Sequence, residues 1–225
     1  MRGEWIVREG RPDLLLFFNG WGMDRRVADR LLASSPDLVS HDLVVLCDYR
    51  ELRLPAGLED YMARYRAVDL VAWSLGVWAA RNAGLGRIRR AVALNGTPFP
   101  IDPVRGILPE IFSGTLDHWC DATRSRFERR MFGGVDGDDR IGQVRSARSS
   151  SDQQEELRAI AAAVPLSGER QAPSWSYSKA LIGGKDQIFL PGNQRTAWAD
   201  TTVVMVDAMP HFPFFHLDGW AEVLS

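Results

Sequence analysis

The stretch Val68-Asp-Leu-Val-Ala-Trp-Ser-Leu-Gly-Val-Trp-Ala-Ala80 decides how the chain is read. Val68–Trp73 is a short apolar run interrupted only by Asp69, which suits a buried strand. Leu75–Asn82 is rich in Ala and Trp and ends near Gly84, which suits a helix. Ser74 therefore falls at a strand-to-helix junction. Its surroundings, Ala72-Trp73-Ser74-Leu75-Gly76, are a variant of G-x-S-x-G with alanine in the first place. In so tight a turn the side chains two residues before and after the serine crowd together, so only small residues fit there. The helix start behind Ser74 also favours negative charge developing at that point. A serine in this place can equally be an ordinary N-cap, so its partners must decide.

Outward from this segment, similar short apolar runs recur between turn signals: Leu14–Phe18, Leu43–Cys47, Ile88–Leu94, Ala180–Ile182 and Val203–Val206. They are continuous rather than alternating, as expected of parallel strands buried on both faces. Asp24–Ala33, Leu75–Asn82 and Phe212–Leu224 read as helices between or after them. The repetition predicts an α/β class with a doubly wound, mostly parallel central sheet and helices on both faces. One stretch, 98–178, lacks strand runs of that quality and holds two expected helices, around Leu116–Met131 and Ser151–Ala163, separated by Gly133–Asp139. It reads as a helical cap inserted into a core formed by residues 1–97 and 179–225.

Composition narrows the function. A chain of 225 residues, 45% hydrophobic, can bury an adequate core without disulfides or a metal. Cys47 and Cys120 are far apart and make no disulfide framework or zinc spacing, which points to a reducing compartment. The formal charge of −2 gives no reason to expect nucleic acid. No apolar run approaches the ~20 residues of a membrane span, and the N-terminus carries no signal-like core. The expectation is a soluble, cytoplasmic protein with no membrane partner, no metal and no cofactor.

Three further segments bear chemistry. Phe17-Phe-Asn-Gly-Trp-Gly-Met-Asp24 is a glycine-rich bend between a strand and a helix. Acyl transfer needs two backbone N–H groups aimed at an oxyanion. Leu75, directly after the serine, and Trp21 in this bend are the candidates. Leu181-Ile-Gly-Gly-Lys-Asp-Gln-Ile-Phe-Leu-Pro191 places Asp186 just past a late strand, while Asp102 is a second candidate acid. Met209-Pro-His-Phe-Pro-Phe-Phe-His216 places His211 in a proline-constrained loop after the last strand. Of four histidines (His41, His118, His211 and His216), His211 best completes the order Ser, Asp, His. In the insertion, Arg126 lies three and four residues before Arg129 and Arg130, so a helix there would carry a basic face. That face, with Arg124, is either solvated or a dock for an acidic partner.

Together Phe18-Asn-Gly-Trp-Gly-Met-Asp24, Ala72-Trp-Ser-Leu-Gly76, Asn95-Gly-Thr-Pro-Phe-Pro-Ile-Asp102 and His211-Phe-Pro-Phe214 resemble the pimeloyl-[acyl-carrier protein] methyl ester esterases of biotin synthesis, of the short BioG type. The resemblance implies an α/β-hydrolase fold and a serine carboxylesterase that needs no cofactor. It implies as substrate the methyl ester of pimeloyl-acyl carrier protein, cleaved to methanol and pimeloyl-acyl carrier protein. Ser74, His211 and Asp186 would be the catalytic residues. Trp73 beside the nucleophile, together with Arg124, Arg126, Arg129 and Arg130, would bind substrate and carrier. Ala72 departs from the glycine usual in relatives. Two alternatives stand beside it: a carboxylesterase or thioesterase for another small acyl substrate, and a catalytically inactive hydrolase-fold binding protein.

Overall fold

The computed structural model describes residues 1–34, 40–134, 138–165 and 173–225. Seven strands form one sheet: β1 (Arg2–Val7), β2 (Asp13–Phe18), β3 (His41–Cys47), β4 (Ala67–Trp73), β5 (Arg90–Leu94), β6 (Lys179–Gly183) and β7 (Thr202–Val206). Their spatial order is β1-β3-β2-β4-β5-β6-β7. All neighbours pair in parallel except β1, which runs antiparallel to β3.

The continuous apolar runs have a simple cause. Leu14, Leu16 and Phe18 of β2 enter one core, with Trp78 and Ile160; Leu15 and Phe17 enter the other, with Val27, Leu31 and Trp220. Side chains of the central strands β2, β3 and β4 meet a helix layer on either face, so the runs are almost wholly apolar; the polar exceptions, Asp13, His41, Asp42 and Asp69, are themselves buried. Helices α1 (Arg26–Ser34), α2 (Leu58–Met62) and α3 (Leu75–Arg81) connect the first strands. Between β5 and β6 lie α4 (Pro109–Asp117), α5 (Asp121–Met131), α6 (Asp139–Val144) and α7 (Ser150–Ala163). Helix α8 (Pro191–Ala197) links β6 to β7, and α9 (Trp220–Leu224) ends the chain.

The elements differ from the sequence expectation in several places, among them the short helices α2 and α8, which no expected helix covers. The sequence does not predict strand β1, because this edge strand is exposed at Arg2 and Gly3, half-buried from Glu4 to Ile6 and buried only at Val7, and carries no long apolar run. Strand β7 is the opposite edge and is not buried on both faces; Val204 and Met205 are each 41% exposed. The single helix expected over Leu116–Met131 is two, because the chain breaks at His118–Cys120 and Thr123 caps α5 by accepting the Cys120 N–H at 2.8 Å. The closing helix expected over Phe212–Leu224 is a 3-10 turn at Pro213–Phe215, then α9 beyond Gly219. The Gly133–Asp139 segment, of which 135–137 lie outside the described residues, leads into the unexpected α6, capped by Asp138.

At the N-terminal end of the parallel strands, Asp69 is fully buried. It accepts from His41 Nε2 (3.0 Å), from Arg89 (2.6 and 2.9 Å) and from Arg90 (3.1 Å). Burial alone would raise this carboxyl, but the bonds from His41, Arg89 and Arg90 outweigh it and hold it well below the usual carboxylate range. Asp69→Asn is expected to cost about 3 kcal/mol at neutral pH, as breaking a buried ion pair does. A depressed carboxyl contributes stability above its unfolded value and loses it as pH falls toward its folded one. The difference between wild type and Asp69→Asn in urea unfolding should therefore be full above about pH 4 and shrink below it.

Candidate active site

The site forms where strands β4, β5 and β6 end. Ser74 follows β4 with φ 57° and ψ −128°, a conformation disfavoured for a residue with a side chain. The neighbouring backbone enforces it. A Cβ on Gly76 would lie 2.5 Å from the carbonyl oxygens of Phe18 and Asn19, and a Cβ on Gly96 would lie 2.3 Å from that of Ser74. The turn thus sits between two backbone segments that approach too closely for any residue but glycine. The Ser74 N–H still donates to Leu94 O at 3.0 Å, continuing the β4–β5 pairing.

His211 reaches the serine from the loop after β7. Its Nε2 stands 2.9 Å from Ser74 Oγ, and its Nδ1 stands 2.9 and 3.0 Å from the two Asp186 oxygens. Asp186 already accepts from the N–H groups of Ile188 (2.8 Å) and Phe189 (3.0 Å) and from Gln194 Nε2 (3.0 Å). A carboxylate so surrounded by donors requires the proton on Nδ1, which leaves the Nε2 lone pair facing Ser74. All three residues are buried: Ser74 is 6% exposed, Asp186 3% and His211 1%.

The His211 loop is fixed through its backbone. Trp73 Nε1 donates to His211 O at 2.9 Å, and Asn95 Nδ2 donates to His211 O (3.0 Å) and Pro210 O (2.7 Å). Asn95 Oδ1 accepts the Gly183 N–H at 2.7 Å, tying the same loop to β6. From α5, Met131 O accepts the Phe212 N–H at 2.9 Å.

Above Ser74 lies a cavity of about 570 Å3, its open mouth included, lined by Trp21, Leu75 and His211 together with apolar residues of the helices between β5 and β6. Helices α4, α5 and α7 contribute Ile111, Phe112, Phe127, Met131 and Leu157. The Leu75 N–H opens α3 and has no intrahelical acceptor. Trp21 is held by its indole, which donates to Gln153 O at 2.8 Å.

The other sequence candidates divide. Trp73 borders the cavity but is only 1% exposed, and its N–H is engaged by the His211 carbonyl. Asp102 is not in the chain of bonds to His211; it accepts from Val104 N and Arg105 N and pairs with Arg105 at 2.8 Å. Arg124 is not a free docking group, because it donates to Ser146 O and Arg148 O (both 2.7 Å) and to Glu128 (2.9 Å). Arg126, Arg129 and Arg130 are exposed on α5 beside a groove, and Arg130 also borders the cavity. His118 is exposed, and His41 belongs to the Asp69 cluster. Among the described residues no group of His, Cys, Asp or Glu could hold a metal ion, and no helix is long and apolar enough to cross a membrane.

Two polar features escaped sequence reading. Asn95, directly before Gly96, reads in the sequence as half of a turn signal, whereas its amide bonds the His211 loop and β6. Gln153 and Glu156 of α7 are buried beside Leu157 and Ile160 at helical spacing; polar residues on a helix's apolar face were the available signal.

A mostly parallel sheet with a serine strained at its β4–α3 turn and a histidine loop past its last strand places the molecule among proteins of α/β-hydrolase fold. The likeness in fold extends to a lipase-esterase related protein from Clostridium acetobutylicum, with TM-score 0.62, 13% identity and 94% and 92% of the two chains covered. The chain belongs to the family described as pimeloyl-ACP methyl esterase BioG, whose model matches residues 1–223. It is 30% identical to BioG from Haemophilus influenzae, whose crystal structure superposes with TM-score 0.84 over 100% of both chains. It is also 38% identical, over 192 residues, to a malonyl-[acyl-carrier protein] O-methyltransferase from Bacteroides fragilis. The match covers 84% of this chain, which spans only 37% of that relative's length.

Asn95→Ala removes three bonds from buried backbone groups, and is expected to lower stability by about 2–3 kcal/mol in urea unfolding. Asn95→Asp, which sets a carboxylate against two carbonyl oxygens, should lower it further.

Proposed function

We propose that this chain is a serine esterase that hydrolyses the methyl ester of pimeloyl-acyl carrier protein in biotin synthesis. The observation that carries the reading is the continuous line of bonds from Asp186 through His211 to Ser74 at the floor of an apolar cavity, in a member of the BioG family. Such a line in an intact, buried site also favours an active enzyme over an inactive binding protein.

Ser74 Oγ attacks the ester carbonyl carbon while His211 Nε2 takes its proton. Asp186 holds the ring in orientation and stabilises the imidazolium. The N–H groups of Leu75 and Trp21 receive the oxyanion of the tetrahedral intermediate. As that intermediate collapses, the C–O bond to the methoxy group breaks and Nε2 returns the proton to it, releasing methanol. Water then gives a proton to Nε2 and its oxygen to the acyl carbon. Collapse frees the carboxylic acid and restores Ser74. Methanol is small enough to leave by the mouth, while the apolar lining from α4, α5 and α7 suits a chain of methylenes.

On this reading residues 98–178 form a cap over a core of 1–97 and 179–225. The carrier, a small acidic protein, docks along α5, where Arg126, Arg129 and Arg130 stand exposed beside a groove that shares Ile111, Thr115, Phe127 and Arg130 with the cavity. The shared wall gives the carrier's arm a short path to Ser74. A cytoplasmic setting fits such a partner.

The test is hydrolysis of pimeloyl-acyl carrier protein methyl ester by purified protein, followed by methanol release. Wild type should cleave it, and Ser74→Ala should lose on the order of 10⁴-fold in rate, because members of such a unit fail together. Cleavage of short soluble esters without cleavage of the carrier-bound ester would remove the assigned substrate. Arg126→Glu should lower kcat/KM on the carrier-bound ester roughly three- to tenfold at low salt, an effect that fades as salt rises, and should spare a short soluble ester. Equal loss on both substrates would count against docking at α5.

A further inference from the structure

Helix α7 lies in the insertion, yet its buried face is bonded to a loop of the sheet. Glu156 Oε2 accepts the Gly22 N–H at 3.2 Å, and Gln153 Nε2 donates to Gly22 O at 2.9 Å. Gln153 O accepts from the Trp21 indole at 2.8 Å. One helical turn therefore grips Gly22 at both its N–H and its carbonyl and grips Trp21 by its side chain.

The same carboxylate reaches a second loop. Glu156 Oε1 accepts the Tyr49 N–H at 2.9 Å, and Tyr49 OH donates to Asn19 O at 2.6 Å. The Asn19–Gly22 bend is thus braced at both ends, directly at Gly22 and through Tyr49 at Asn19. Glu156 is fully buried, with Arg148 Nη1 at 2.5 Å as its counter-charge, and Gln153 is 4% exposed. Burying a carboxylate is costly unless its oxygens are satisfied. Burial does push Glu156 upward, against the opposing pull of Arg148 and the Tyr49 N–H. Apolar residues at 153 and 156 would fill this space, but they could not orient a peptide plane.

We propose that Gln153 and Glu156 are positioning residues for the oxyanion side of the site. They fix the backbone around Trp21 and Gly22 and thereby aim the Trp21 N–H, so that seating of α7 is part of the catalytic geometry. The inference rests on the reading of Ser74 as nucleophile and of the Trp21 N–H as oxyanion donor.

Gln153→Ala is the main variant, because it removes the donor to Gly22 O and leaves the Glu156–Arg148 pair intact. Glu156→Gln, which keeps one acceptor oxygen, is the second. Three quantities are read with a short p-nitrophenyl ester: kcat, KM and inhibition by an alkyl boronic acid, whose tetrahedral adduct on Ser74 carries negative charge. Urea unfolding is measured beside them. In both variants kcat and boronate affinity should fall together by roughly tenfold or more, as weakened oxyanion contacts do, while KM stays within about twofold. Unchanged kcat and boronate affinity in folded variants would overturn the inference. So would a lower unfolding midpoint with boronate affinity intact, which marks a purely structural brace. Ser74→Ala serves as control: activity surviving in it would overturn the nucleophile reading and the inference with it.

Discussion

The close approach of three backbone segments around Ser74 is the constraint on which the rest of the site depends. Gly76 meets the carbonyls at the end of β2, and Gly96 meets the carbonyl of Ser74 itself, at separations that no Cβ tolerates. Those contacts hold Ser74 at a positive φ and present its Oγ to His211. A residue in such a conformation persists only where its surroundings over-determine it. Here they do so through the parallel sheet, whose β2, β4 and β5 bring the three segments to one edge.

Around this rigid centre the remaining groups are held by backbone bonds rather than by side-chain packing alone. Asn95 and Trp73 fix the His211 carbonyl, and three donors fix Asp186 before His211 adds a fourth. The helices between β5 and β6 take part as well: α5 accepts from Phe212 beside His211, and α7 grips the bend that carries Trp21. These helices therefore line the cavity and also bond to loops on two of its sides.

The sequence made the central strands legible because burial on both faces writes a continuous apolar run, as in Leu14–Phe18 and Leu43–Cys47. The edges were harder. Strand β1 is exposed or half-buried over most of its length and has no such run, and β7 has the run without the burial. Ser74, Asp186 and His211 could be singled out because each follows a strand in a fixed order, and the structure brings them within hydrogen-bond distance. Arg124 shows the limit of charge counting: a helical arginine was visible, but its carbonyl partners at Ser146 and Arg148 depend on tertiary contacts more than 20 residues along the chain. Glu156 was missed for a related reason, since its acceptors face backbone groups of two loops that the sequence does not place together.

The most direct test of the account is labelling with a fluorophosphonate, followed by mass mapping of the modified peptide. The account predicts phosphonylation of Ser74, lost by on the order of 10³-fold in rate in a folded His211→Ala protein. Labelling at another residue, or undiminished labelling of Ser74 without His211, would contradict it.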